Sequence, residues 1–163
     1  MHLILLRHGK AEAHGHPGGD GARALVEKGR NQSASAAAVL ARAGFLPEIV
    51  ISSPVLRARE TAEIFCREAS MPGPLMQPWL ACGMDPETAL AELAGFRDFL
   101  RVAIVGHEPD FSRLIAWLLG ITDGAVEMKK GGIACIEIQP PSRGGYLLFL
   151  TNHRLVASSS SLD

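Results

Sequence analysis

The chain has 163 residues, enough for a domain with a sizeable core, and 47% of them are hydrophobic against 20% charged, the balance of a soluble globular protein. A formal net charge of -1 excludes a general pull toward nucleic acid, so any anion site must be a local cluster of bases. Cys66, Cys82 and Cys135 are odd in number and widely spaced, which excludes a recognisable zinc pattern or disulfide framework and fits free thiols in a reducing cytosol.

In chain order, Leu3-Ile4-Leu5-Leu6 suits a buried strand, is too short for an ordinary helix, and stops at Arg7-His8-Gly9. Glycine after the histidine permits a tight turn and close backbone approach, which would hold His8 at the rim of a sheet. No basic region precedes the run, so it does not read as a signal peptide, and no later run reaches the ~18 apolar residues needed to span a bilayer. The expectation is a cytoplasmic protein with no membrane or nucleic-acid partner. Lys10 to Ala22 is a polar, breaker-dense loop. Its His14-x-His16 pair has no third and fourth ligand at a recognisable spacing, so both histidines read as solvated.

Arg23 to Gly44, with an alanine-rich face, reads as a helix closed by glycine. Ile49-Val50-Ile51 is a second buried strand ending at Ser52-Ser53-Pro54, and Val55 to about Ala69 reads as a helix with Ser52 or Ser53 as its cap and Arg57 in its first turn. Leu75 to Gly83 is an irregular connection. Asp85-Pro86-Glu87 opens another helix, Val102 to Val105 is a third strand ending at Gly106-His107-Glu108-Pro109, and Asp110 caps a helix carrying Phe111, Leu114, Ile115, Leu118 and Leu119. Ile133 to Ile138 and Tyr146 to Leu150 flank a turn-rich segment and predict a hairpin. The pattern predicts an α/β fold, a three-layer α/β/α sandwich with a mixed, largely parallel sheet. Residues 1–163 read as one domain without repeat or linker, frayed from about residue 155.

Three predicted strands end in Arg7-His8-Gly9, in Ser52-Ser53-Pro54 with Arg57 close behind, and in Gly106-His107. In a parallel sheet these carboxyl ends share one edge, where open α/β sheets place ligands. Two imidazoles, at least two guanidiniums and a helix N-terminus favour a small, highly charged anion, a phosphoryl group being the natural candidate.

Arg7-His8-Gly9 resembles the signature of the histidine phosphatase, or phosphoglycerate-mutase-like, superfamily, and Ser52 to Ala62 and Val105 to Pro109 are similar to its second and third motifs. Short length, the absence of a large inserted lid, and Arg23-Ala24-Leu25 followed by Gly29 make the chain most similar to SixA-type phosphohistidine phosphatases. The resemblance implies that His8 is the nucleophile that accepts the phosphoryl group and that Arg7 and Arg57 clamp its oxygens. It also implies that His107 donates a further hydrogen bond and that Arg23 contacts the phosphate from the loop side, with Gly9 beside the nucleophile. No metal or cofactor is implied.

The chain departs from the family's Arg-Pro-Leu-Thr segment, reading Arg23-Ala24-Leu25-Val26, so the hydroxyl that would cap the next helix is missing. No motif fixes the acid that ester-cleaving members use; Asp85, Glu87 and Glu108 are candidates. An alkoxide needs a proton as it leaves, whereas an imidazole leaves neutral if its other nitrogen already carries one, so the lack of a clear acid favours a phosphoramidate. The expected function is a phosphohistidine phosphatase acting on a phosphorylated protein. A phosphatase of a small phosphate ester is the alternative, and a silent phosphate-binding module a third reading that the retained histidines and arginines oppose. Arg59 reads as a surface charge, Trp79 and Trp117 as core or pocket wall, and the oligomeric state is not legible.

Overall fold

A computed structural model describes residues 1–158 as β1 (His2–Arg7), α1 (Glu27–Arg42), β2 (Ile49–Ser52), α2 (Leu56–Glu68), β3 (Leu75–Met76), α3 (Pro86–Leu93), β4 (Arg101–Gly106), α4 (Asp110–Leu119), β5 (Ile133–Gln139), β6 (Ser142–Thr151) and α5 (His153–Ser158). The strands form a sheet in the order β3-β2-β4-β1-β5-β6. β1 pairs in parallel with β4 and antiparallel with β5, β2 pairs in parallel with both β4 and β3, and β6 closes the far side antiparallel to β5. The mixed, largely parallel sheet and its α/β architecture are thus as the sequence pattern predicts.

The layering follows from strand alternation, which sends successive side chains to opposite faces. Leu3 and Leu5 of β1 and Val102 and Ile104 of β4 enter one cluster, with Leu90 and Leu93 of α3 and Phe111, Leu114 and Ile115 of α4. Ile4, Leu6, Ala103 and Val105 point the other way, onto Ala36, Ala37 and Leu40 of α1 and Ala58, Ala62 and Phe65 of α2. The alanines on α1 and α2 let both helices lie close to the sheet. All four apolar residues of β1 are at most 2% exposed, and burying each such side chain stabilises the fold by about 1.5–3 kcal/mol. The strand that carries Arg7 and His8 at its end is therefore anchored from both faces.

Several boundaries differ from the sequence reading. α1 begins at Glu27 rather than Arg23, because Leu25 forms an isolated bridge to Ala11 and its N–H donates to the Glu60 carboxylate at 2.6 Å. Asp20–Ala22 forms a short 3-10 turn within the expected loop. Neither Ser52 nor Ser53 caps α2, whose cap position is Val55 without a side-chain bond, and Asp110 is the first residue of α4 rather than its cap. The Asp110 carboxylate instead accepts from the Gly83 N–H at 2.8 Å. Asp85 does cap α3, accepting from Thr88 N–H at 2.9 Å. The connection after α2 contains β3, and β6 begins at Ser142, so the hairpin turn narrows to Pro140-Pro141. A helix occupies 153–158 where fraying is expected from about residue 155, and the rest of that expectation, including Ser159 to Ser161, lies outside the described residues.

Candidate active site

Parallel pairing brings the three predicted strand ends together. Arg7 stands in register with Gly106, and the His8 N–H continues the ladder by donating to the Gly106 carbonyl at 3.1 Å. The Ser53 N–H likewise donates to the Val105 carbonyl at 2.9 Å. His8 and His107 face one another with ring centroids 5.3 Å apart, and Arg57 reaches them from the first turn of α2. His8, Arg57 and His107 are 6%, 4% and 2% exposed, so three cation-capable groups share a largely desolvated space.

His8 is held in one tautomer. Its Nδ1 lies 2.8 Å from the Gly9 carbonyl, and since a carbonyl only accepts, the ring proton belongs on Nδ1 and the lone pair on Nε2. Arg57 Nε donates to that Nε2 at 3.3 Å. Burial, chiefly, lowers the His8 pKa to about 3, with the neighbouring His107, Arg57 and Arg7 adding to it, so the imidazole is neutral at neutral pH. Gly9 earns its place through close packing. A Cβ there would lie 2.5 Å from the Gly29 carbonyl oxygen, and one on Gly29 would collide with the Lys10 backbone. The Gly9 N–H donates to Thr61 Oγ1 at 3.1 Å, and that hydroxyl donates to the Arg57 carbonyl at 2.7 Å, tying the strand end to α2.

His107 is buried and lowered to about 4, mainly by desolvation and then by Arg57. Its Nε2 lies 2.9 Å from Ser53 Oγ, which also accepts from the Val55 N–H at 3.2 Å. With the Ser53 hydroxyl assigned as donor to Nε2, the ring proton sits on Nδ1, which is buried without a partner among the described residues. Arg7 spends Nη1 on the Met128 carbonyl at 2.5 Å, while its Nε is likewise buried and unpartnered. Unpaired buried donors are rare in proteins, and two at one rim mark a place built for an acceptor-rich ligand.

Arg23 is 5% exposed and joins the cluster through Asp20, a residue of the loop before α1. Asp20 Oδ1 lies 2.8 Å from Arg23 Nε and 2.7 Å from Nη2, and its Oδ2 lies 3.2 Å from Arg57 Nη2. The Asp20 carbonyl also accepts from Arg57 Nη1 at 2.9 Å. Arg23, first, and Arg57 hold this carboxyl below the usual carboxylate range. Asp20, Ser53 and Thr61 thus belong to the site without having been named for it. None of the three carries a periodic signal in the sequence that would orient it toward the site.

Two of the candidate acids, Asp85 and Glu87, fall elsewhere. Asp85 is exposed and spends its carboxylate on Thr88, and Glu87 is exposed in the first turn of α3. Glu108 is raised by burial, against the pull of Ser112 and Arg7, and its Oε1 is buried without a partner among the described residues. The side chain that meets Arg57 from the connection before α3 is Cys82, with Sγ 3.5 Å from Nη2 and the thiol pushed up by burial. Arg59 is half-exposed and faces Glu63 at 3.6 Å, while Trp79 and Trp117 are partly buried against the core. Among the described residues no helix is long and apolar enough to cross a membrane.

The family model described as histidine phosphatase superfamily (branch 1) matches residues 3–77, from β1 through β3. An uncharacterized protein of Picosynechococcus sp. is 33% identical over 140 residues, 82% of each chain. The fold is that of the protein histidine phosphatase SixA complexed with tungstate, with a TM-score of 0.86 at 24% identity over 96% of this chain and 99% of that one. It is also that of the alpha-ribazole phosphatase from Shigella flexneri, with a TM-score of 0.74 at 18% identity over 94% and 97%. The three motifs, their meeting at one sheet edge and these likenesses agree: residues 3–77 match the histidine phosphatase superfamily (branch 1), and the chain as a whole has a SixA-like, phosphoglycerate-mutase-like fold.

Proposed function

We propose that the protein removes the phosphoryl group from a phosphorylated protein histidine through a covalent phospho-His8 intermediate. One observation carries the covalent step: Nδ1 of His8 is pinned to the Gly9 carbonyl while a neutral Nε2, aimed into the guanidinium cluster, keeps its lone pair. That nitrogen attacks phosphorus in line, forming one P–N bond as the bond to the leaving imidazole breaks. Water then displaces phosphate from Nε2. Arg57, released from its contact with the lone pair, and Arg7 bind the equatorial oxygens, where phosphoryl transfer needs most of its help. His107 adds its unpaired Nδ1–H, and Arg23 completes the clamp from the loop side, taking over anion contacts now made to Asp20.

The choice of phosphohistidine rests on proton supply. Asp20 is the carboxyl that contacts the arginines, and they hold it ionised at neutral pH, so it has no proton to give an alkoxide. An imidazole protonated on its far nitrogen leaves without one. Three unpaired cysteines support a cytoplasmic location for this reaction.

Glu108 favours a second reading, the phosphatase of a small phosphate ester, because its raised carboxyl keeps a proton to higher pH than an ordinary glutamate. Turnover separates the two. On the first reading a phosphohistidine protein is hydrolysed far faster than sugar or nucleotide phosphates, and Glu108→Gln leaves that rate within about twofold. Preferential ester hydrolysis that collapses in Glu108→Gln would establish the second.

A further inference from the structure

Next to the catalytic rim lies a cavity of about 360 Å³ whose wall is basic. Lys10, one residue beyond Gly9, Lys28 from the first turn of α1, Lys130 from the segment before β5, and Arg154 line it. Among the described residues no carboxylate contributes to the lining, although the whole chain carries a net charge of -1. Lys129 at the same wall is tied to Glu127, whereas Lys10, Lys28 and Lys130 have no ion-pair partner among the described residues.

The arrangement is held from below. Gln32, 5% exposed, accepts from the Lys10 N–H at 2.8 Å and donates to the Lys130 carbonyl at 3.3 Å, fixing the two lysine-bearing segments side by side. The next N–H, of Gly131, donates to the carbonyls of Arg7 and His8, both at 3.2 Å, so Lys130 is anchored to the nucleophile's own backbone. Burial and the charges of Arg7, Arg23, Lys10 and Arg57 lower the Lys130 ammonium, which places it in the same positive field as the phosphoryl clamp. His153 also lines the cavity, and its Nδ1 is buried with no partner among the described residues. Like-charged side chains gathered around a concavity repel one another unless an anion joins them.

We propose that this cavity is a second anion subsite, which seats an oxyanion group of the substrate beside the phosphoryl group being transferred. Resting on the phosphohistidine reading above, that group is a side-chain carboxylate of the phosphorylated protein, close to its phosphohistidine. A second phosphate of a small substrate has the same chemistry, and the test separates the sources.

Phosphohistidine peptides with glutamates or with glutamines flanking the modified residue are compared, alongside a phosphoserine series with the same flanks. Turnover is read on the wild type, Lys28→Glu and Lys130→Glu, and Kd on His8→Ala protein, so that flank preference is measured even where a series is not hydrolysed. At low salt the acidic flank is expected to raise kcat/KM and tighten Kd by about fivefold or more, shrinking near about 0.5 M salt, as charge contacts do. Each lysine reversal is expected to erase that ratio, and Lys28→Glu is expected to do so while leaving kcat for the glutamine-flanked peptide unchanged. A preference confined to the phosphoserine series supports the subsite and overturns the phosphohistidine reading. Equal turnover and Kd for both flanks, with inorganic triphosphate competing no better in the wild type than in Lys130→Glu, overturn the subsite and leave that reading standing. Inorganic triphosphate that competes in the wild type but not in Lys130→Glu, without any flank preference, overturns the carboxylate source.

Discussion

Arg57 Nε lies 3.3 Å from Nε2 of His8, a guanidinium donor facing the lone pair that our account assigns to phosphorus. The same guanidinium holds the Asp20 carbonyl and carboxylate and reaches Cys82, so one side chain links the nucleophile, the loop before α1 and the connection before α3. Arg57→Ala is expected to cost about 10²–10³-fold in kcat, the scale for losing one preorganised donor to developing charge. Arg57→Lys is expected to recover only a small part of it, because a point charge cannot keep all of these contacts at once. Steady-state kinetics of the two variants checks this.

On the proposed mechanism Asp20 competes with the substrate. Its carboxylate occupies Arg23 and Arg57 at 2.7 and 3.2 Å, the groups a phosphoryl oxygen needs. Asp20→Asn keeps the side-chain shape and removes the charge, and is expected to tighten inhibition by inorganic phosphate or vanadate about two- to fivefold, the range for exposed ion pairs. An unchanged inhibition constant would show that Asp20 and the anion do not share these arginines.

Ser53 positions His107. Its hydroxyl, fully buried, lies 2.9 Å from Nε2. Ser53→Ala leaves that nitrogen unsatisfied, which costs about 1–3 kcal/mol of stability. It also frees the tautomer, so kcat is expected to fall more than KM rises. Denaturant unfolding and kinetics on one preparation read both effects.

Strands β1, β2 and β4, and Arg7, His8 and His107 at their ends, were legible because each rests on a strong local signal. Leu3 to Leu6 is an apolar run ended by charge, and once Val102 to Val105 is read as a parallel neighbour, topology brings Arg7, His8 and His107 to one edge without further assumption. Asp20 was not legible because it sits among glycines and polar residues with no period to orient it. Ser53 was misread for a physical reason: serine before a helix is ordinarily a cap, and only the parallel pairing of β2 with β4 shows that His107 claims the hydroxyl. The start of α1 was misplaced because Leu25, apolar and at helical spacing, is held extended by Ala11 and Glu60. Neither partner is near it in sequence.

The two buried histidines contribute to the acid dependence of stability. Desolvation lowers His8 to about 3 and His107 to about 4 in the folded protein, against 6.5 for the ordinary group. Between those values the unfolded chain binds protons that the folded one refuses at these two sites, so their contribution to stability is fully present above pH 6.5 and is lost as the pH drops toward 4 and then 3. The Tm is expected to fall over this range. Replacing both histidines with glutamine is expected to flatten the profile, whereas an unchanged slope would place its origin in other groups.

The covalent step is tested most directly by trapping it. Protein mixed with a phosphohistidine substrate and quenched rapidly in alkali should carry an acid-labile phosphoryl group, located by mass spectrometry on His8, and His8→Ala should neither form it nor turn over. A phosphoryl group found on another residue, or a His8→Ala protein that still hydrolyses the substrate at the wild-type rate, would contradict the account.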